Sequence, residues 1–467
     1  MNITFHGAAR TVTGSKHLIK LKNGKQILLD CGLFQGLGRE TDMLNQELGF
    51  TASEVTHMLL SHAHIDHTGL IPKLVKEGFT GKIYCTTGTK DLTEILLEDS
   101  GKIQVDDVKF INKKRAKQHL PPVNPLYNLD DVANAIPRLT QVPYNVWTKI
   151  DNDIEVMYAD AGHIIGSASV HVRITEDGKT EQISFSGDVG RYRDIILKSP
   201  ETFPQADYII IESTYGDSLH DDVFNTPEQV LEYVKHTCIE KKGKLIIPAF
   251  SVGRTQEILY FLNLLYNERQ LPDIPVFVDS PLSYEATQVV KHHPEGFNPR
   301  LKKLLETDND PFDFPGLKFI ENVDESKALN DDHRPMIIIS ASGMADAGRI
   351  QHHILNNIGN KQNTILIVGY CEPNSIGGRL MRGDKEVRIF GDEYAVIADI
   401  GIIRSMSAHG DYNDLSQFLA CQNANNVKQV FIVHGEYEVQ QHFQSKLLKK
   451  GFKDVQIPDL HQTFILS

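Results

Sequence analysis

The run Ser61-His62-Ala63-His64-Ile65-Asp66-His67 comes directly after the apolar stretch 55–60, and no other segment constrains the chain as tightly. It reads as a strand that ends in a loop crowded with ligands. Three imidazoles and a carboxylate fall within the six residues from His62 to His67. Neutral imidazole nitrogen and carboxylate oxygen are ligands that zinc takes, and His62 and His64, alternating along an extended chain, point the same way. For any one of these histidines the plainer reading is a polar loop capping a helix that starts near residue 70. The HxHxDH pattern as a whole is a specific metal signal, and it predicts a hydrolase that binds two metal ions.

A chain of 467 residues has room for two or three domains, each able to bury its own core. Its composition, 40% hydrophobic and 23% charged, is that of a globular protein. No apolar run approaches the roughly 18 residues needed to cross a bilayer, so no membrane association is expected. The opening residues 1–7 lack the basic and apolar regions of a signal peptide. Cys31, Cys85, Cys238, Cys371 and Cys421 are scattered, with no CxxC pair, which fits a reducing compartment without structural disulfides. A cytoplasmic location is therefore the expectation. The net charge of −13 argues against a surface built for nonspecific nucleic-acid binding. A nuclease stays open, because metal ions and a few arginines can make one cleft locally positive on an acidic body.

Short apolar strands recur from the start, at 26–30, 57–61, 82–85, 154–159, 168–174, 182–186 and 208–211, and several end in His, Asp or Glu. After about residue 214 strands alternate with helices, 244–250 with 254–265, 275–279 with 284–292 and 335–340 with 345–357, which predicts a parallel sheet with crossover helices. A strand at 428–433 and a helix at 439–450 close the chain. The expected organisation is one domain, 1–214 and 395–467, interrupted by a second, 215–394. The stretch 102–145, with its basic run 113–119, reads either as a solvated helix face or as a lid over a site.

His163, in Ala161-Gly162-His163-Ile164-Ile165-Gly166, and Asp188, in Ser186-Gly187-Asp188-Val189-Gly190, stand between small residues that permit close backbone approach. Taken singly each is a turn residue. Together with the histidine loop, with Leu28-Leu29-Asp30-Cys31-Gly32, Ile211-Glu212-Ser213-Thr214-Tyr215, Ser407-Ala408-His409-Gly410-Asp411 and Val433-His434-Gly435-Glu436, they give seven segments whose order resembles the β-CASP branch of the metallo-β-lactamase superfamily. The opening Gly7–Ser15 segment and Leu33-Phe34-Gln35-Gly36 are similar to the bacterial and archaeal relatives of the pre-mRNA 3′-end-processing endonuclease. The RNase J group is the weaker match, since no long C-terminal domain follows residue 467.

The resemblance implies an α/β fold, an αββα metallo-β-lactamase sandwich with an inserted parallel-sheet β-CASP domain. It implies two Zn2+ per chain: one held by His62, His64 and His163, the other by Asp66, His67 and His434, with Asp188 bridging and a water between them activated to hydroxide. Asp66 counts with Glu212 and His409 as catalytic, His409 donating a proton to the leaving oxygen and Glu212 holding it. Asp30 is expected behind the ligands, orienting their loop, with an ordinary turn-capping aspartate as the competing reading. Read without the family, Glu212 and His409 are isolated residues at strand ends.

Three Gly/Ser turns of the insert, with their arginines, suggest phosphate contacts: Ser251 with Arg254, Ser342 and Gly343 with Arg349, and Ser375 with Arg379. In the family these turns face the cleft between the domains. The third departs from the family's Gly-Thr-Leu-Gly-Arg, reading Asn374-Ser375-Ile376-Gly377-Gly378 with Arg379 one place later. His434, where DNA-repair members carry an apolar residue, favours RNA. The implied activity is hydrolysis of single-stranded RNA to 5′-phosphate and 3′-hydroxyl ends, with a homodimer carried over from relatives as an open expectation. A small-molecule phosphodiesterase or thioesterase of the same fold is the enzyme alternative, and a metal-free RNA-binding scaffold the non-enzyme one.

Overall fold

The apolar segments assemble into three large sheets and one two-stranded ribbon, and pairing explains the burial of each strand. The computed structural model describes residues 1–36 and 38–466. By internal packing the chain divides into two units, one made of Met1–Tyr192, Ser199–Leu219 and His409–Ser467, the other of Arg193–Lys198 and His220–Ala408.

The first unit holds two seven-stranded sheets. One runs Thr463–Ile465, Asn2–Phe5, His17–Lys20, Gln26–Leu29, His57–Leu59, Lys82–Cys85, Leu139–Gln141; the other runs Val455–Gln456, Gln429–Ile432, Tyr208–Ile211, Lys179–Phe185, Ala168–Glu176, Ile154–Asp160, Thr148–Lys149. Alternation along the strands assigns the faces. Phe5, Ile27 and Leu29 of the first sheet share a buried cluster with Val156, Val170, Phe185 and Phe431 of the second, so the sheets pack face to face. Leu28, Met58 and Ile83 point the other way, under Leu74, Leu97 and Val132 of the covering helices. Ile209, Ile211 and Ile432 are covered in the same manner by Leu415, Phe418, Phe443 and Leu447. Helix, sheet, sheet, helix is the αββα sandwich expected from the motifs. Strand Gln26–Leu29 is buried on both faces, which is why it reads as an unbroken apolar run.

Strand direction, more than strand order, gathers the chemically active residues at one end of the sandwich. In the first sheet Gln26–Leu29 and His57–Leu59 run parallel. In the second, Lys179–Phe185, Tyr208–Ile211 and Gln429–Ile432 run parallel, and Ile154–Asp160 shares their direction through two antiparallel steps. Asp30, the His62–His67 loop, His163, Asp188, Glu212 and His434 follow the carboxyl ends of these strands.

The second unit contains a six-stranded sheet in the order Leu317–Phe319, Val276–Val278, Met336–Ser340, Lys244–Pro248, Thr364–Val368, Asp399–Ile403, with every pair parallel. Its strands and helices match the predicted alternation. The last strand lies beyond the expected return to the outer domain near 395: Asp399–Ile403 pairs with Thr364–Val368, and the unit continues to Ala408. A short Ile-rich strand looks the same in sequence whichever sheet receives it, so only the pairing reveals its owner.

Residues 102–117 form the outer half of the helix Thr87–Lys117, whose buried positions stop at Gly101. Of the two readings of this stretch, the structure shows the solvated helix face. The cysteines are free thiols. Among the described residues no helix is long and apolar enough to cross a membrane.

Candidate metal centre

The first unit brings His62, His64, His163, Asp188, Asp66, His67 and His434 together, with Glu212 and His409 beside them. His64 Nδ1 lies 3.1 Å from His62 Nε2 and 3.2 Å from His163 Nε2. Asp188 Oδ2 lies 3.4 Å from His62 Nε2 and 3.5 Å from His163 Nε2. Its other oxygen, Oδ1, lies 3.3 Å from His67 Nε2 and 3.6 Å from His434 Nε2. Asp66 Oδ2 closes this second group at 3.3 Å from His434 Nε2 and 3.7 Å from His67 Nε2. Donor atoms of His62, His64, His163 and Asp188 all fall within 4.8 Å of one another, as do those of Asp66, His67 and His434. Asp188, with one oxygen toward each group, is the shared member.

The local chain explains why these side chains converge. Gly32 lets the two loops touch: a Cβ there would sit 1.5 Å from the Asp66 carbonyl oxygen. Gly190 does the same against the Gly162 carbonyl, joining the Asp188 turn to the His163 turn. His434 and Asp30 adopt positive φ angles, 52° and 57°, which side chains other than glycine seldom do. Both come just after strands that end where a turn must aim a side chain back across the sheet edge.

Asp30 is fully buried, and its contacts bear on the two roles that its sequence position allowed. Its Oδ1 accepts from the Ser61 backbone N–H at 2.8 Å, while Oδ2 accepts from the Ser61 hydroxyl at 2.8 Å and lies 2.6 Å from His67 Nδ1. These contacts tie Asp30 to the ring of His67 and to the start of the histidine loop. Two further supports carry no signal in the sequence. Ser61 Oγ lies 3.1 Å from His62 Nδ1, and Thr214 Oγ1 lies 3.1 Å from His434 Nδ1. Hydroxyls next to a motif are common, so only the tertiary contact singles these out. Asp30→Ala is expected to weaken metal binding by about 10- to 100-fold, the usual effect of removing a group that orients a ligand. Metal titration by competition with a chelator checks it; unchanged affinity would return Asp30 to a plain turn residue.

Glu212 is buried and itself well anchored, accepting from the backbone N–H of Val189 at 2.7 Å and of Thr214 at 3.1 Å. Its Oε1 lies 3.2 Å from His409 Nδ1, which is also 3.9 Å from Asp188 Oδ2. Burial alone would lower the pKa of His409, but the carboxylates of Glu212 and Asp188 outweigh it and raise the imidazole to about 9.

The electrostatics test whether metal fits. Burial holds His62 at about 3 and His64 at about 4, and pushes His163 well down, so these three rings are neutral, which is the ligating form. His67 goes the other way: burial opposes its charge, but Asp188, Asp66 and Asp30 hold its pKa well above the usual value. Asp188 and Asp66 are driven below the ordinary carboxylate range despite burial, by His434 and His67 for the one and by His67 and His434 for the other. Asp188 Oδ1 is buried without a hydrogen-bond partner, facing imidazole nitrogens. Buried carboxylates that draw a proton onto a neighbouring ring, and an oxygen aimed at nitrogens without bonding them, mark places where positive charge belongs. The donor set fits metal ions.

Comparison with known proteins decides the lineage. A sequence model of the metallo-beta-lactamase superfamily matches residues 14–224, one of the Beta-Casp domain matches 255–380, and one of the Zn-dependent metallo-hydrolase RNA specificity domain matches 393–458. Ribonuclease TTHA0252 of Thermus thermophilus is 34% identical over 439 residues, 94% of each chain. The chain belongs to the β-CASP branch of the metallo-β-lactamase superfamily. An RNase J-like protein of Methanocaldococcus jannaschii is 30% identical over 437 residues, 93% of this chain and 92% of that one. Transcription termination factor FttA of Cenarchaeum symbiosum is 30% identical over 448 residues, 93% of this chain and 66% of the longer relative. The family is one of metallo-hydrolases that includes nucleases.

In the β-CASP unit the three Gly/Ser turns do come together. They succeed Lys244–Pro248, Met336–Ser340 and Thr364–Val368, adjacent parallel strands whose carboxyl ends share one edge. Gly377 donates its N–H to Met344 O at 3.0 Å, and Gly343 packs on the Phe250 ring. Their side chains are used differently from the expectation. Arg349 places Nη1 2.6 Å from Asp279 Oδ1 and donates from Nη2 to Glu321 O at 2.7 Å. Arg379 pairs with Asp384 at 3.0 Å and donates to Glu386 O at 3.2 Å. Arg254 is buried and ion-paired with Glu257. Ser375 caps the helix Ile376–Arg382 by accepting from Gly378 N at 3.0 Å, and Ser342 Oγ donates to Ala347 O at 3.2 Å. Ser251 Oγ lies 3.4 Å from Ser280 Oγ. These guanidinium groups spend part of their five N–H donors on carboxylates and carbonyls inside the unit, contacts that the turn spacing did not indicate.

Proposed function

We infer that this protein is a zinc-dependent ribonuclease that hydrolyses single-stranded RNA to 5′-phosphate and 3′-hydroxyl ends. The observation that carries the reading is His409 Nδ1 lying 3.2 Å from the buried carboxylate of Glu212 and 3.9 Å from Asp188 Oδ2. A donor set of imidazoles and carboxylates suits zinc better than magnesium or calcium, which take oxygen. His62, His64, His163 and Asp188 would hold one ion, and Asp66, His67 and His434, with the second oxygen of Asp188, the other. Such ions supply Lewis-acid polarisation of a phosphoryl oxygen and acidify water near neutral pH.

The chain's own groups do the rest. Attack of water at phosphorus breaks the bond from phosphorus to the 3′ oxygen, a poor leaving group unless it gains a proton. Glu212 binds Nδ1 of His409, so Nε2 is the nitrogen that delivers that proton, and the carboxylate compensates the imidazolium between turnovers. Asp66, at the border of the second group, accepts a hydrogen bond from the attacking water and orients it. RNA as substrate is supported by the match to the RNA specificity model and by the ribonuclease name of the relative 34% identical to this chain.

The test uses protein of verified zinc content with end-labelled single-stranded RNA, DNA of the same sequence, and small ester, thioester and phosphodiester substrates. Cleavage of RNA into fragments bearing 5′-phosphates is the expected result. Turnover of the small substrates with both polymers left intact would replace this reading by a small-molecule hydrolase.

A further inference from the structure

The helix Thr87–Lys117 runs for 31 residues, about 46 Å at the usual rise, and its two halves are built differently. The first is locked to the metal-centre loops: the hydroxyls of Thr86 and Thr89 both donate to Gly166 O, at 2.6 and 2.7 Å, three residues past His163. From Lys102 onward no helix residue is buried. One side of this outer half is partly covered by the returning chain, where Asn112 exchanges two hydrogen bonds of 2.9 Å with the backbone of Val123. The solvent side presents Lys102, Lys109, Lys113, Lys114 and Lys117, all exposed and outnumbering Asp106 and Asp107 among them, around Ile103 and Phe110, which are 43% and 59% exposed.

This stripe does not serve the helix itself. Lys109, Lys113 and Lys117 stand at i, i+4 spacing, where like charges repel and weaken a helix. Asp106 pairs with Lys109 at 2.9 Å, and Lys114 lies over the Phe110 ring at 4.5 Å. Lys102, Lys113 and Lys117 make no ion pair among the described residues. On a chain of net charge −13 such a concentration of cations stands apart. Repulsion along the row is relieved by a partner that brings closely spaced negative charge, and the exposed ring suits a flat apolar face.

We propose that the outer half of this helix is an auxiliary RNA-binding arm, which holds the phosphate backbone of single-stranded RNA on its lysine row and stacks an unpaired base on Phe110. The proposal rests on the ribonuclease reading and extends it to RNA lying away from the scissile bond. Phosphates supply the charge complementarity, and base stacking on a ring tolerates any sequence. An acidic protein offers the charge without the stacking face, and a second copy of this acidic chain offers neither as a regular array.

The test replaces Lys109, Lys113, Lys114 and Lys117 together by Gln, which keeps helix propensity, in the full-length, zinc-loaded protein. RNA of about 16 nucleotides or more is compared with RNA of about 4. On the long RNA, KM is expected to rise about tenfold at unchanged kcat, and the slope of log affinity against log salt to become shallower by about 2–3, near 0.7 per lost phosphate contact. Kinetics on the short RNA should stay as in the parent. Identical affinity, salt slope and KM on long RNA would overturn the arm while leaving the ribonuclease intact. Parent protein that cleaves neither RNA would overturn both readings. Equal loss on both lengths, or a change in sedimentation with RNA binding preserved, would assign the face to folding or to a protein partner and overturn the proposal.

Discussion

Asp188→Asn is expected to remove metal and activity together. Asp188 puts Oδ2 3.4 Å from His62 and Oδ1 3.3 Å from His67, so one carboxylate faces both groups of candidate ligands. The amide replaces one of these oxygens by an N–H donor and deletes the negative charge, in a place buried to 2% exposure. Loss of this shared ligand should exceed the 10- to 100-fold that an orienting group commands, so affinity is expected to fall by more than about 100-fold for at least one ion. Metal analysis of the purified variant, alongside RNA cleavage at saturating added zinc, reads both effects. A variant with full metal content and full rate would show that the two groups are not bridged here.

His409→Ala separates chemistry from metal binding. The variant should keep its zinc and lose about 10²- to 10⁴-fold in kcat, the range for removal of a general acid. The competing possibility is written in the geometry, because donor atoms of Asp188, His409 and His434 also gather within 4.8 Å. Were His409 a ligand, its removal would release metal. Zinc stoichiometry therefore decides the role: full zinc with a slow enzyme supports proton donation, and lost zinc with a slow enzyme contradicts it. The ring is held at Nδ1 by Glu212, itself fixed by two backbone N–H groups, so an alanine at 409 leaves that carboxylate satisfied and the fold intact.

The same contrast between local and distant information runs through the whole chain. The histidine loop was legible because its markers are local, whereas His163, Asp188, Glu212, His409 and His434 became candidates only through the motif order that resembles the family. His62 to His67 lie in one loop, and burial periodicity announced the strands that carry Asp188, Glu212 and His434. The αββα sandwich was expected from the family that the motif order resembles. Roles that depend on what a side chain meets were not legible. Asp30 could have been a turn cap until Ser61 and His67 were found on its two oxygens. Ser61 and Thr214 are ordinary hydroxyls until they are seen against His62 and His434.

The insert shows the limit most clearly. Sequence placed three Gly/Ser turns with arginines at strand ends, and the parallel sheet does collect those turns on one edge. It could not show that Arg349 is engaged by Asp279, 70 residues away, or that Arg379 is engaged by Asp384. Likewise the outer domain was expected to resume near residue 395, whereas the strand Asp399–Ile403 pairs with Thr364–Val368, and sequence patterning does not tell which neighbour a strand pairs with. By itself the sequence determined many of the strands and helices, and which residues have the chemistry to bind metal. Propensity, alternation and ligand type are properties of neighbouring residues, and neighbours are written in order. The tertiary structure alone decided partners: which carboxylate steadies which imidazole, which arginines are committed to internal ion pairs, and which half of a long helix is left with its lysines in water. The pairings of Glu212 with His409, Asp30 with His67 and Asp279 with Arg349 join residues far apart in the chain, and their energies exist only once the sheets have closed.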